Sequence, residues 1–168
     1  ISFYAPLTNI SLPSLTSARS IYIYYEAEYG MEEEPPPYPR TQIDLPLLET
    51  GSLSVSRFEI TSLNLPVLVN GSLSLNDIKG LGNINLLSLT TSNQFRITGV
   101  SELIALHVPL LATVSSLRIT NNQNLSYIDI SSLTTVVSSF EVSNNQLCNN
   151  LSIEDLPCVC DNGMIISE

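Results

Sequence analysis

The stretch "SLRITNNQNLSYIDISSLTTVVSSFEVSNNQL", from Ser116 to Leu147, contains the same pattern twice. The alternating segment "SLRIT" is followed by two asparagines, and so is the alternating segment "SFEVS" that begins at Ser139. Between them stands "IDI", an aliphatic-x-aliphatic triplet. Alternation with a period of two residues indicates β-strands whose apolar side chains share one face. The stretch therefore predicts a repeating unit of two short strands joined by turns.

The same unit recurs along most of the chain. Successive triplets are spaced by 20 to 23 residues, except for the first interval of 33 residues. We predict an all-β, single-domain parallel β-helix of about seven coils, with a loop insertion at residues 25–40. Residues 1–156 form this solenoid, and residues 157–168 form a cysteine-containing cap or the start of a next segment. The triplets begin at Ile10, Ile43, Leu63, Ile84, Leu106, Ile128 and Leu151, and the second strands begin at Ser20, Ser52, Ser72, Gln94, Ser116 and Ser139.

Alternation also assigns the two faces of the strands. We expect one set of second-strand side chains to stack in the core and the set between them to point outward. The expected core set is Leu53, Val55, Leu73, Leu75, Phe95, Ile97, Leu117, Ile119, Phe140 and Val142. The expected outward column is Tyr22, Ser54, Ser74, Arg96, Arg118 and Glu141, and on the first strand it is Ser11, Asp44, Asn64, Asn85, His107, Asp129 and Ser152. The asparagine pairs are expected in left-handed turns.

The motif "L-x-I-x-N-N-x-x-L-x-x-I-D-I-x-x-L" resembles the leucine-rich-repeat-like β-helix of receptor L domains. It is also similar to the repeats of Ecm33-type fungal cell-wall proteins and of some bacterial surface proteins. The resemblance runs from about Ile10 to Leu156, and the acidic, proline-rich insertion departs from it. It implies an extracellular or cell-surface recognition or structural module without catalytic residues. It assigns no ligand residues, because the motif positions are core and turn positions.

The net charge of −10, with six Lys and Arg residues, disfavours nucleic acids and anionic membrane surfaces as partners. The longest apolar runs are far shorter than a membrane-spanning helix, so we expect no direct membrane insertion. The chain begins inside a repeat, so we expect it to be a mature fragment of a longer protein.

Cysteines and sequons give further expectations about the compartment. Cys148, Cys158 and Cys160 suggest a disulfide in an oxidised C-terminal cap, since C-x-C with one more cysteine and no nearby histidine is poor zinc spacing. The odd number of cysteines leaves at least one of them without a partner in this sequence, and a cysteine of a longer chain or of a partner would complete the cap. The candidate glycosylation sites are Asn9, Asn70, Asn124 and Asn150, although chance alone would give about as many sequons.

The insertion "YYEAEYGMEEEPPPYPR", from Tyr24 to Arg40, contains a proline run that predicts polyproline II. Its acidic part lacks the alternating order of a calcium loop, and we assign no cofactor. Tyrosine-rich surfaces favour recognition because they provide contact area at low entropic cost. The candidate binding residues are Tyr22, Tyr24, Tyr25, Tyr29 and Tyr38, together with Arg96 and Arg118 of the strand face.

The sequence does not favour a catalytic function. His107 is expected one coil from both Asn85 and Asp129, which is half of a hydrolytic arrangement, but no nucleophile stands at an obvious third position. The carboxylates of Asp44 and Asp129 are expected four coils apart, too far to act as a glycosidase pair. Regular ice-binding rows would be interrupted by the arginines of the central column.

We therefore expect a non-catalytic recognition or adhesion module that binds protein or glycan at the cell surface through the strand face and the Tyr/Glu/Pro-rich loop. The alternative is a structural subunit of an extracellular fibre, sheath or cell wall, in which solenoids self-associate. A polysaccharide-active β-helix enzyme and an ice-binding protein are less favoured.

Overall fold

The computed structural model describes residues 1–3, 7–25 and 40–146, and every regular element in these ranges is a β-strand. From residue 70 onward longer strands alternate with short ones, as the two-strand repeat predicts, whereas Thr50–Asn64 is one continuous strand that includes a second strand and the first strand of the next coil. The strands are β1 (Ser2–Phe3), β2 (Asn9–Ser11), β3 (Ser17–Tyr24), β4 (Arg40–Asp44), β5 (Thr50–Asn64), β6 (Asn70–Lys79), β7 (Asn83–Asn85), β8 (Thr91–Val100), β9 (Ala105–His107), β10 (Thr113–Thr120), β11 (Tyr127–Asp129) and β12 (Thr135–Ser143).

Neighbouring strands pair in parallel and are stacked as a solenoid of about six turns. The two-residue strand β1 and the longer strands follow the order β1-β3-β5-β6-β8-β10-β12 in one sheet, which β2 and β4 join at one side. The short strands β7, β9 and β11 form a second sheet. The predicted parallel β-helix is confirmed, and the predicted seventh coil start, Leu151, lies outside the described residues.

The insertion leaves the solenoid at the expected place. Strand β3 ends at Tyr24 and β4 begins at Arg40, and each pairs with β5. Residues 26–39, which include Tyr29 and Tyr38, lie outside the described ranges. The coils on either side of the insertion therefore keep their stacking.

The core is a set of apolar columns that run along the solenoid. Leu53, Leu73, Phe95, Leu117 and Phe140 are register partners on successive coils and are buried. The expected core set is confirmed, with Val142 partly buried against it. Because a buried aliphatic or aromatic side chain contributes about 1.5–3 kcal/mol, the stacked columns provide the main stabilisation of the fold.

Five successive coils turn a corner through one residue in the left-handed backbone region. The expectation for Asn121 and Asn144 is confirmed, since their φ angles are 59° and 55°. Asparagine and glycine tolerate this conformation better than other residues. The corresponding residues of the preceding coils are Arg57, Asp77 and Gly99.

No helix long and apolar enough to cross a membrane occurs in the part of the chain that the structure describes.

Candidate functional site

The outward face of the longer strands is the largest regular surface that the sequence singles out. Tyr22 pairs with Ser54, and the column continues through Ser74, Arg96, Arg118 and, one coil further, Glu141. The predicted outward column is therefore confirmed residue by residue. Since parallel strands lie about 4.8 Å apart, neighbouring side chains of this column are within reach of one ligand.

The two arginines of the column have different surroundings. Arg118 Nη2 lies 2.6 Å from Glu141 Oε2, and the two side chains form an ion pair. Arg96 is the register partner of Arg118, and its Nε is covered while lacking a hydrogen-bond partner among the described residues. This column thus has two arginines on neighbouring coils and one carboxylate, which pairs with Arg118. This part of the face is locally basic in a chain of net charge −10.

Hydroxyl groups beside the column connect neighbouring coils. The hydroxyls of Ser116 and Ser139 are 2.6 Å apart, and those of Thr98 and Thr120 are 3.3 Å apart. Ser72 Oγ accepts a hydrogen bond from the backbone N–H of Gln94 at 3.1 Å. These bonds hold the side chains in one arrangement, so the face presents an ordered polar surface.

A tyrosine cluster marks the point where the insertion leaves β3. Arg57 Nη1 donates to the Tyr24 hydroxyl at 3.0 Å, and its guanidinium carbon lies 5.6 Å from the centre of the Tyr24 ring. The rings of Tyr25 and Phe58 meet edge to face at 6.2 Å. Tyr24 and Tyr25 are therefore held by packing, whereas the side chain of Tyr22 is 52% exposed.

The first-strand column is divided between the two sheets. Ser11, Asp44 and Asn64 are register partners in one sheet, and Asn64 Nδ2 donates to Asp44 Oδ1 at 2.6 Å. In the other sheet Asn85, His107 and Asp129 are register partners. Gly80, with φ 78°, lies between β6 and the first strand of that second sheet.

His107 lies beside both side chains that the repeat assigns to it. Its ring contacts Tyr127 at a centroid distance of 5.0 Å, and Asp129 Oδ1 accepts the backbone N–H of Ser131 at 3.2 Å. Within the described ranges no group of three or more His, Cys, Asp and Glu side chains is arranged to hold a metal ion.

Of the predicted glycosylation sites, Asn9, Asn70 and Asn124 are exposed. Asn124 Nδ2 donates to the carbonyl of Ser101 at 2.6 Å. This bond uses one of the two hydrogens of the side-chain amide. Asn150 and the three cysteines, Cys148, Cys158 and Cys160, lie outside the described residues, so their modification and pairing remain predictions.

Two surface features are missed by the sequence reasoning. The first is the apolar corner, which we define as the exposed side chains of Leu47, Val69, Leu87 and Leu110. They lie at the turns between first and second strands, where the backbone N–H of Leu48 donates to the carbonyl of Leu45 and equivalent bonds recur on later coils. The signal was present in "LPLL", which contains Leu47, and in "VPLL", which contains Leu110, but alternation does not say which aliphatic residue a turn leaves outside.

The second missed feature is a polar cleft of about 440 Å³ at the beginning of the longer strands. It lies beside Gly51 and Gly71, on the coils next to the insertion. Its signal was the sequence "TGS" followed one coil later by "NGS".

Comparisons with protein-family models, with curated proteins and with solved structures found no match to this chain.

Proposed function

We propose that the protein is a non-catalytic recognition or adhesion module, placed outside the cell or at its surface. It binds a protein or glycan through the outward face of the longer strands and the tyrosine-rich segment beside it. The resemblance of its repeats to receptor L domains and Ecm33-type wall proteins is part of this proposal and supports the location.

The observation that carries the proposal is the ordered outward column from Tyr22 to Glu141. Its side chains change from aromatic through hydroxyl to charged over successive coils that are in register. A rigid surface of this kind loses little conformational entropy on binding. Tyr22 supplies exposed aromatic area at one end, while Arg96 and Arg118 supply guanidinium groups for hydrogen bonds towards the other.

The test is a binding screen of the full chain on glycan arrays and against surface-protein extracts, followed by variants of the face. We expect Tyr22→Ala and Arg96→Gln each to reduce binding of a screened ligand by about tenfold, since each removes one central contact. Arg40→Gln is the matched control, because Arg40 pairs with Glu59 outside the column. Ligand binding that survives Tyr22→Ala combined with Arg96→Gln would exclude the face as the site.

A second function, as a structural subunit that associates laterally, is favoured by the apolar corner. Leu87 is 57% exposed and Leu110 51% exposed, and the corner has one such residue in the same turn of each of four successive coils, at differing positions within that turn. A second copy presents the same exposed side chains, so two chains related by a two-fold axis would cover each other's aliphatic residues. This is the simplest occupant for apolar residues repeated along one edge of a solenoid.

Light scattering across a concentration series tests this second function. If the corner joins two copies, Leu87→Ser with Leu110→Ser shifts the chain to monomer, whereas Ile104→Ser does not. Ile104 is a suitable control because it is also an exposed aliphatic residue, at 55%, but lies outside the corner. A monomeric parent protein at all concentrations contradicts the structural function.

A further inference from the structure

The polar cleft is formed by small differences in the number of residues per coil. On one side of the cleft, Ala18 pairs with Gly51 and Ile21 pairs with Leu53. Two residues of β3 lie between these pairs, but only one residue of β5 does. On the other side, Asn70 pairs with Thr91 and Leu73 pairs with Phe95. Between these pairs β8 has one residue more than β6. The two coils in the middle are thus shorter at this point than the coils on either side.

The extra residues stand at the two sides of the cleft. Arg19 belongs to the longer segment of β3 and Asn93 to the longer segment of β8, and both side chains are exposed. A β-bulge redirects the side chains of the strand that carries it. Three coil spacings separate β3 from β8, which is about 14 Å. That separation provides room for a small polar ligand between Arg19 and Asn93.

The floor of the cleft needs two glycines. A Cβ on Gly51 would lie 2.3 Å from the carbonyl oxygen of Ala18, and a Cβ on Gly71 would lie 2.0 Å from the carbonyl oxygen of Gly51. Any other residue would therefore push the coils apart. The absence of both side chains lets the backbones of neighbouring coils approach closely at the bottom of the cleft.

The lining selects the chemical class of ligand. Among the described residues that line the cleft none is acidic, although the chain has sixteen Asp and Glu residues, and Arg19 is the one cation. Hydroxyl and amide groups provide most of the remaining side-chain contacts. They come from Ser17, Thr50, Ser52, Asn70, Ser72 and Asn93.

We propose that this cleft binds a saccharide unit that carries a carboxylate or a sulfate. Sugar hydroxyls match the hydroxyl and amide lining, and the anionic group pairs with the Arg19 guanidinium. The cleft has a volume of about 440 Å³ and is open to solvent, so a saccharide unit would keep one side exposed. This inference rests on the proposed recognition function and names the class of partner that the module takes at this end of the face.

Asn70 belongs to both the cleft and the sequon "NGS". A glycan attached to Asn70 would place its first sugars at the same lining as a free saccharide. The full chain is therefore produced in a host without N-glycosylation, so that only added saccharide reaches the cleft.

Three hexasaccharide probes test the proposal by isothermal titration: oligogalacturonate for the carboxylate, a sulfated galactan fragment for the sulfate, and cellohexaose as the neutral probe. We expect an anionic probe to bind at least tenfold more tightly than the neutral one. Arg19→Gln should weaken that binding about tenfold and Asn93→Ala about threefold, since a charge-assisted hydrogen bond is stronger than a neutral one. Arg40→Gln and Asn83→Ala, at exposed positions outside the cleft, should leave it unchanged.

The two proposals fail in distinguishable ways. If an anionic probe binds but Arg19→Gln and Asn93→Ala leave its affinity unchanged while Arg96→Gln lowers it, the strand face is the site and the cleft proposal is wrong. If neither anionic probe binds the unmodified chain, the cleft proposal is also wrong, and the recognition function then depends on the other glycans and the proteins of the screen.

Discussion

Asn145 repeats, one coil later, the hydrogen bonds that Asn122 makes with the coil before it. Asn122 Nδ2 donates to the carbonyl of Ile97 at 3.0 Å, and its Oδ1 accepts the N–H of Val100 at 2.9 Å. Asn145 Nδ2 donates to Ile119 at 2.8 Å, and its Oδ1 accepts the N–H of Asn122 at 3.0 Å. The side-chain amides thus replace backbone pairing where β10 and β12 end. On earlier coils the strands continue through the corner, and Phe58, Ile78 and Val100 are paired by backbone instead.

Removing the side-chain amide of Asn122 should destabilise the solenoid strongly. Asn122 is completely buried, so Asn122→Leu leaves the carbonyl of Ile97 and the N–H of Val100 without their partner. We expect the free energy of unfolding to fall by about 2–4 kcal/mol, measured by urea denaturation. Gln123→Ala, at the exposed neighbouring position, is the control and should change it by less than about 0.5 kcal/mol. Equal stability of the two variants would contradict the role of the amide.

The glycine floor should be sensitive to a single methyl group. In Gly71→Ala the new Cβ meets backbone, which cannot move aside as a flexible side chain can. We expect a loss of about 2–3 kcal/mol or insoluble protein. Gly82→Ala is the matched control, because the nearest atom to its Cβ is the carbonyl oxygen of Glu102 at 4.0 Å. Thermal unfolding of the two variants side by side gives the result, and a Gly71→Ala protein as stable as Gly82→Ala would refute the close contact.

Arg57 and Tyr24 should be energetically coupled. Arg57 has φ 61°, a conformation that costs a non-glycine residue about 1–2 kcal/mol, and its contact with Tyr24 offsets that cost. In a Tyr24→Ala background we expect Arg57→Asn to stabilise the fold by about 0.5–1 kcal/mol, because asparagine tolerates the conformation. In the parent chain the same change should be neutral or destabilising. A double-mutant cycle measures the difference, with Asp77→Asn at the same corner position as the control.

Neighbouring residues on opposite faces should differ in their effect on stability. Arg118→Gln removes an ion pair with a half-exposed arginine and should change the free energy of unfolding by less than about 1 kcal/mol. Leu117→Ala, one residue away and fully buried, should cost about 2–5 kcal/mol. Denaturation in low and high salt distinguishes the two variants, because salt screens the ion pair and so changes only the effect of Arg118→Gln on the free energy of unfolding. A large, salt-sensitive loss in Arg118→Gln would show that the pair stabilises the coil stack.

Much of the fold could be predicted because a stacked repeat has one register. Once "SLRIT" and "SFEVS" were aligned, the partners of Arg118 and of His107 followed from counting residues. The turn role of Asn121 and Asn144 followed from their chemistry. These features depend on the chain pattern alone, so the sequence was enough.

The remaining features depend on how neighbouring coils differ. The left-handed φ of Arg57 could not be expected from its residue type, since arginine has no preference for that region. The hydrogen bonds from the Asn122 side chain to backbone could be predicted only with the knowledge that β10 ends at Thr120. The cleft could be predicted only by comparing coil lengths on both sides of Gly51 and Gly71. The coils differ there by one residue, which is less than the variation in length between repeats.

This origin gives the cleft an unusual dependence on chain order. No single coil contains it: the coil of Arg19 supplies one side, the two glycine coils supply the floor, and the coil of Asn93 supplies the other side. Exchanging the glycine coils for copies of their neighbours would preserve the core columns and abolish the cleft. A lineage of such solenoids could therefore gain or lose a binding pocket by duplicating or deleting whole coils, without any substitution at a contacting residue.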